Sequence, residues 1–400
     1  MPKKIYVTGM GIISSMGSTV DETLHALKNR YSGMNPVRRF DTALKNIPVC
    51  EVRHSNEELR SRLPFLHTGK IYSRTSLLGL IAAHQAVQSH STAAGSASRM
   101  GLVSATTVGG MDYNEAHWKD ISGGQVSKNV VELLDCADST QQIATSLGIS
   151  DYVTTVSTAC SSSANAIIAG ARMILNGLVD KILVGGTDSL TRFTLNGFNS
   201  LEILSPTGCK PFDAARNGVT LGEGAAYLLL ESSETADPDT VLCELKGYAN
   251  TSEAYHQTAS SPDGDGAILS IRQALSSAGL NPGDIDYINA HGTGTLINDL
   301  SEGRAIETVF GNAISPVSST KAYTGHTLAA AGAIEAVISI LAIRHGLLFP
   351  NIGFEKQIPE LSFVPNTSLR KSEIRNVLSN SFGFGGSNAS LIFSKTEVAI

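Results

Sequence analysis

Charge is scarce in this sequence. Only 16% of its 400 residues are Asp, Glu, Lys or Arg, against about a quarter in an average globular chain. The 30 basic and 36 acidic residues leave a formal net charge of −6, which gives no support to nucleic-acid or membrane binding but still allows a small basic patch for an acidic partner. Cysteine is scarce as well. The five, at positions 50, 136, 160, 209 and 243, show no CxxC pair and no regular spacing. That excludes a disulfide framework and fits free thiols in a reducing cytoplasm. Long apolar runs are missing: no stretch of about 18 apolar residues is found, so nothing is expected to span a membrane. The opening MPKKIYVTGMGII reads as a first strand rather than a signal peptide.

What is present describes a compact protein. A hydrophobic content of 42% over 400 residues suggests two units of similar size. KIYVTGMG, DKILVGGTDSL and IDYINAHGTGT read as strands, and DETLHALKNR as an amphipathic helix, so the alternation predicts α/β architecture. The stretch ESSETADPDT, 231 to 240, has the composition of a linker and divides the chain into halves 1–235 and 236–400. Two helical stretches, SSSANAIIAGARMILNG and TLAAAGAIEAVISILAIRHG, are rich in small residues and nearly free of charge. A helix apolar all round is buried on all sides, so one such helix per half suggests a central helical layer between two sheets. Each follows a chemically capable residue, Cys160 or His326, and ends in glycine, Gly177 or Gly346, which hints at internal duplication.

Cys160 stands where the β-branched run TTVST gives way to the first of these helices. A thiol at a helix N-terminus feels about half a positive charge, so a lowered pKa is expected; the bland alternative is a small buried hydrophobe. The second half supplies His291, at a strand end beside Thr293 and Thr295 in a glycine loop, and Lys321 five residues before His326. A lone histidine is usually structural; two, each at an element end beside glycine, are less so. SNSFGFGGSN, with Phe382 and Phe384 between glycines, is built to bring backbone N–H groups close to a ligand.

Taken together, TACSSSANA, HGTGTLIND, KAYTGHTLAAAG and NSFGFGGSN resemble the β-ketoacyl-acyl carrier protein synthases, type II-like, of the thiolase-fold condensing enzymes. The resemblance covers essentially the whole chain. It implies a five-layer αβαβα fold of two duplicated halves and a cytoplasmic homodimer acting on acyl carrier protein. The reaction would be a decarboxylative condensation that needs no metal or dissociable cofactor. By the same resemblance Cys160 would hold the acyl chain as a thioester. His291 and His326, kept neutral, would bind the malonyl thioester carbonyl. Lys321 would pair with Glu302, with Asp299 supporting from behind, and the N–H groups of Cys160 and Phe384 would form the oxyanion hole. Thr293 and Thr295 would bind the pantetheine arm, and Val108 and Phe198 would line the acyl pocket beneath Phe384 as gate. Lys70 and Arg74, ordinary solvated charges by default, would be candidates for docking an acidic carrier.

Rival readings are separable. A degradative thiolase needs a second cysteine in the C-terminal glycine loop, and SFGFGG contains none. A starter-type synthase would carry asparagine where His326 stands. A chain-length factor would lack the cysteine. A ketosynthase of a polyene or pigment pathway remains open, since the serine run after Cys160 departs from the commonest fatty-acid form. TGMGIISSMG misses the third glycine of a dinucleotide loop, and SPDGDGAI has no glutamate at the twelfth position of a calcium loop. His256 matches a position near the active site in the family it resembles and equally reads as a satisfied structural histidine; Lys210 reads as an ordinary solvated charge.

Overall fold

The computed structural model describes residues 3–88, 98–124 and 128–396. Among these, ten strands form one sheet: β1 (Ile5–Ser14), β2 (Met100–Ala105), β3 (Tyr152–Val156), β4 (Lys181–Asp188), β5 (Gly224–Ser232), β6 (Cys243–Ser252), β7 (Tyr287–Asn289), β8 (Val317–Ser318), β9 (Asn376–Gly383) and β10 (Ser387–Ser394). Their order is β8-β7-β9-β10-β6-β1-β5-β4-β2-β3. Read outward from the centre, the first five run β1-β5-β4-β2-β3 and the last five β6-β10-β9-β7-β8. The two sets have one topology, with the inner two pairings of each antiparallel and the outer two parallel. The halves join through two residue pairs, Tyr6 with Glu244 and Val7 with Cys243.

Five helices complete the layers: α1 (Arg74–Gln88), α2 (Ser162–Leu175), α3 (Asp265–Ala278), α4 (Leu296–Phe310) and α5 (Ala331–His345). α1 covers the outside of the first half-sheet and α3 that of the second, while α2 and α5 lie between and touch strands of both. The small residues of α2 and α5 set this spacing. A Cβ on Gly332 would come within 3.0 Å of the Ala164 backbone nitrogen and 2.9 Å of the Ser381 hydroxyl, so only glycine admits so close an approach. The stretch Leu328–His345 is long and apolar enough to cross a membrane, contrary to the expectation from apolar runs, but nearly all of it is buried inside the protein. It is a core helix. The main apolar cluster runs through both central helices, from Val7 and Ile12 through Ile167 and Ile338 to Phe393.

Candidate active site

The two central helices start close to one another. Cys160 lies just ahead of α2, and Ala159 before it sits at φ +51°, a left-handed conformation that costs an alanine about 1 kcal/mol or more and that the surroundings must hold. The serines that follow explain the hold. Ser162 Oγ accepts from Thr158 N at 2.8 Å and donates to Ala159 O at 2.5 Å. Ser161 Oγ donates to Thr158 O at 2.8 Å and lies 2.9 Å from Ser387 Oγ, and Ser163 Oγ accepts from Ala333 N at 2.9 Å, tying α2 to α5.

His326 Nε2 lies 2.9 Å from Cys160 Sγ. The His291 and His326 rings are perpendicular, with centroids 5.5 Å apart. Lys321, fully buried, places Nζ 3.2 Å from His291 Nδ1 and donates to His291 O at 2.6 Å. An ammonium has no acceptor, so Nδ1 of His291 must accept and the ring proton sits on Nε2. Burial, and then the Lys321 charge, hold both histidines well below the ordinary imidazole range; they are neutral near pH 7. The backbone N–H groups of Phe384 and of Cys160 itself face the sulfur. A Cβ on Gly383 would lie 3.2 Å from Cys160 N, so glycine keeps that donor pair open.

Three expectations need correction. Lys321 does not pair with Glu302; its carboxylate partner is Glu335 of α5. Glu302 instead accepts from His291 N and Gly292 N, each at 2.8 Å, and so fixes the main chain rather than the cation. Nor is the thiol pKa lowered: burial pushes Cys160 up to about 11, Lys321 and the two N–H groups opposing it only in part. With burial raising the thiol and lowering the imidazole beside it, the resting site is thiol and neutral imidazole. Arg74 is not solvated. It is buried, with Nε and Nη2 donating to Glu223 at 2.8 and 2.7 Å. Val108 is buried behind the open cleft, packed with Leu190, Leu195, Leu204, Val219, Leu221 and Leu328.

The cleft above Cys160 has a volume of about 250 Å³ and is bounded by His291, His326, Thr293, Thr295, Phe198 and Phe384, among others. Phe198 stacks on Phe384, centroids 6.0 Å apart. The Thr293 and Thr295 hydroxyls lie 2.9 Å from one another, and Thr295 also caps α4. Asp299 accepts from Phe212 N at 2.7 Å and Gly294 N at 3.1 Å, bracing this loop. Lys70 is exposed, its Nζ 5.8 Å from the Tyr72 ring centroid. His256 is exposed and outside the cleft, and Lys210 pairs with Glu355 at 3.2 Å.

Glu335 was missed by sequence reasoning. Its signal was there: it is the one acid in an apolar buried helix, and such a charge needs a cation. The donor atoms of Cys160, His291 and His326 lie within 4.8 Å of one another, a set that could also hold a soft divalent ion.

Two family models divide this chain between them: "Beta-ketoacyl synthase, N-terminal domain" matches residues 2–236 and "Beta-ketoacyl synthase, C-terminal domain" residues 242–355. The chain belongs to the β-ketoacyl synthase family. This β-ketoacyl synthase is 34% identical to 3-oxoacyl-[acyl-carrier-protein] synthase 2 of Staphylococcus aureus (strain COL), over 99% of each chain. Among solved structures, the ishigamide ketosynthase/chain length factor superposes with a TM-score of 0.91 at 32% identity, covering 99% of this chain and 100% of that one. A type II polyketide ketosynthase solved with its acyl-carrier protein gives 0.87 at 26% identity, with the same coverage. Family and fold together make the chain an acyltransferase-type condensing enzyme with a thiolase-like αβαβα core.

Proposed function

We propose that this β-ketoacyl synthase elongates an acyl chain by two carbons at the expense of malonyl-acyl carrier protein. The observation that carries the reading is the convergence of Cys160, His291, His326 and Lys321 on one cleft. The Cys160 sulfur attacks the acyl thioester delivered on its carrier, with the proton passing to His326 as the bond forms. The carrier leaves as its thiol, taking that proton from His326, which is neutral again. Malonyl-carrier then binds with its thioester oxygen toward the neutral histidines, whose N–H groups stabilise the enolate formed as carbon dioxide departs. The enolate carbon attacks the Cys160 acyl carbonyl, whose oxygen faces the N–H groups of Cys160 and Phe384; the bond from that carbon to the Cys160 sulfur then breaks, the 3-oxoacyl chain leaves on the carrier, and the sulfur takes a proton from solvent to become a thiol again. Donors of this kind each contribute about 10²–10³ in rate. Because malonyl carries its own latent carbanion, the steps call on no dissociable cofactor.

The likeness to a ketosynthase paired with a chain length factor favours a second reading, in which the chain is one member of a heterodimer in a specialised pathway. The presence of Cys160 with both histidines makes it the condensing member in that case. The acidic carrier is proposed as its partner in either setting, with Lys70 available to it.

The test is mass spectrometry of Cys160 after incubation with acyl carrier proteins bearing chains of different length, followed by malonyl-carrier. The expected result is an acyl adduct on Cys160 that is discharged as a 3-oxoacyl product two carbons longer. No adduct at any length would overturn the reading. Native mass spectrometry of the chain purified alone separates a homodimer from a subunit awaiting a different partner.

A further inference from the structure

Asp188 closes strand β4 and is fully buried, yet no step above uses it. One carboxylate oxygen accepts from Thr106 Oγ1 at 2.5 Å, Thr107 N at 3.0 Å and Val108 N at 3.2 Å. The other accepts from Thr107 Oγ1 at 2.6 Å and from Ala329 N at 2.8 Å. These donors come from two places far apart in sequence: the turn after β2, which carries Val108, and the entry to α5, three residues beyond His326. Between His326 and Ala329 lies Leu328, at φ +52°, a conformation that a leucine keeps only when its surroundings impose it. Val108 and Leu328 then meet in the same apolar cluster, on which Phe198, Ile203 and Val219 form the wall facing the cleft.

We propose that Asp188 is a positioning residue that clamps the Thr106–Val108 turn to the His326 loop, so that the placement of the imidazole beside Cys160 and the length of acyl chain admitted are set by one carboxylate. An acyl chain that outgrows the open cleft must displace the cluster behind it, and the clamp limits how far Val108 and Leu328 can part. Loosening the Ala329 arm lets Leu328 relax, which swings His326 away from a sulfur it must reach within hydrogen-bond distance. A misplacement of about 1 Å at such a group costs about 10²-fold in rate. The acyl-length half of this proposal rests on the condensing-enzyme reading; the imidazole half does not, since alkylation of Cys160 needs no carrier.

Asp188→Asn replaces an accepting oxygen with a donor that faces other donors. The experiment measures the rate of Cys160 labelling by iodoacetamide in four proteins: parent, Asp188→Asn, His326→Ala and the double variant. The expected result is that Asp188→Asn slows labelling by about 10²-fold in the parent but adds little in the His326→Ala background, since the two act through one ring. Additive losses, or a His326→Ala variant that labels as fast as the parent, would overturn the imidazole half. Thr107→Val removes one hydroxyl from the turn and leaves the Ala329 arm intact. It should leave labelling unchanged while shifting the ratio of long-chain to short-chain acyl transfer by about 10-fold. An unchanged ratio would overturn the acyl half, and this variant decides that half even if Asp188→Asn fails to fold. If Asp188→Asn lowers only the melting temperature, with labelling as in the parent, the clamp is structural and the proposal fails.

Discussion

Just ahead of α2, the first half places Ala159 at φ +51° one residue before Cys160; just ahead of α5, the second half places Leu328 at φ +52° two residues after His326. The two halves share a strand order, and each starts its central helix from a strained residue beside a reactive one. They differ in what surrounds the strain. The first is held by hydroxyls: Ser161, Ser162 and Ser163 bond the elbow and the neighbouring helix without any ionised partner. The second is held by charge, with Lys321 against Glu335 under His291 and Asp188 on Ala329. A nucleophile that must be neutral until it attacks belongs among hydroxyls. A site that must keep two imidazoles unprotonated belongs beside a buried cation. One scaffold used twice has been filled with two kinds of chemistry, and the reaction needs both.

The sharpest way to break this comparison is to remove the first half's contribution alone. Cys160→Ala should abolish condensation, a loss of about 10³-fold or more, while malonyl decarboxylation persists, because decarboxylation draws only on the second half. Release of carbon dioxide and formation of 3-oxoacyl product are measured separately. Loss of both would show that the halves do not divide the work.

Next in size is Glu335→Gln, which strands Lys321 without its carboxylate. Breaking a buried pair from one side costs about 3–5 kcal/mol, readable as a lowered midpoint in urea. The hydroxyl-held side gives a contrast: Ser161→Ala should cost about 1 kcal/mol. Equal losses from the two would erase the distinction between charge and hydroxyls.

The histidines make a pH prediction. Their folded pKa values lie below the ordinary 6.5, so as pH falls through 6.5 the unfolded chain takes up protons that the folded one refuses. Stability is therefore full above 6.5 and is lost below it, by about 1.4 kcal/mol per pH unit for each histidine. Glu302, pushed up to about 7, runs the opposite way between 4.5 and 7, so the telling quantity is the difference in slope between the parent and His326→Gln. The parent should lose melting temperature more steeply between pH 6.5 and 5; parallel curves would mean that His326 titrates freely.

The smallest effect concerns the strain itself. Ala159→Gly relieves a left-handed alanine and should stabilise by at most about 1 kcal/mol, with slower acylation of Cys160 because the elbow is less firmly set. A destabilised variant would show that Ala159 is not strained.

Much of the site could be read from the sequence because each reactive residue lies within a local motif. Cys160, His291, His326 and Lys321 each sit beside glycine, serine or threonine at the end of an element, and their positions needed no tertiary information. Their pairing did. Lys321 is joined to Glu335 rather than Glu302 because α5 runs back past the lysine, a matter of helix placement that spacing does not encode. The lowered thiol pKa failed for a related reason: helix polarity is local and visible, whereas the depth of burial that outweighs it belongs to the whole fold. Arg74 looked solvated because its partner, Glu223, lies 149 residues away. Val108 packs behind Phe198 and Val219, which face the cleft.

The halves meet in the sheet through two residue pairs only, and their strand orders are the same. Residues 233–242, between β5 and β6, thus join what could otherwise be two subunits. Two such pieces in solution would assemble the cleft only as far as their concentration drove them together. A ten-residue tether raises their effective concentration to the order of millimolar, so a reaction centre drawn from both halves stays complete however dilute the protein becomes.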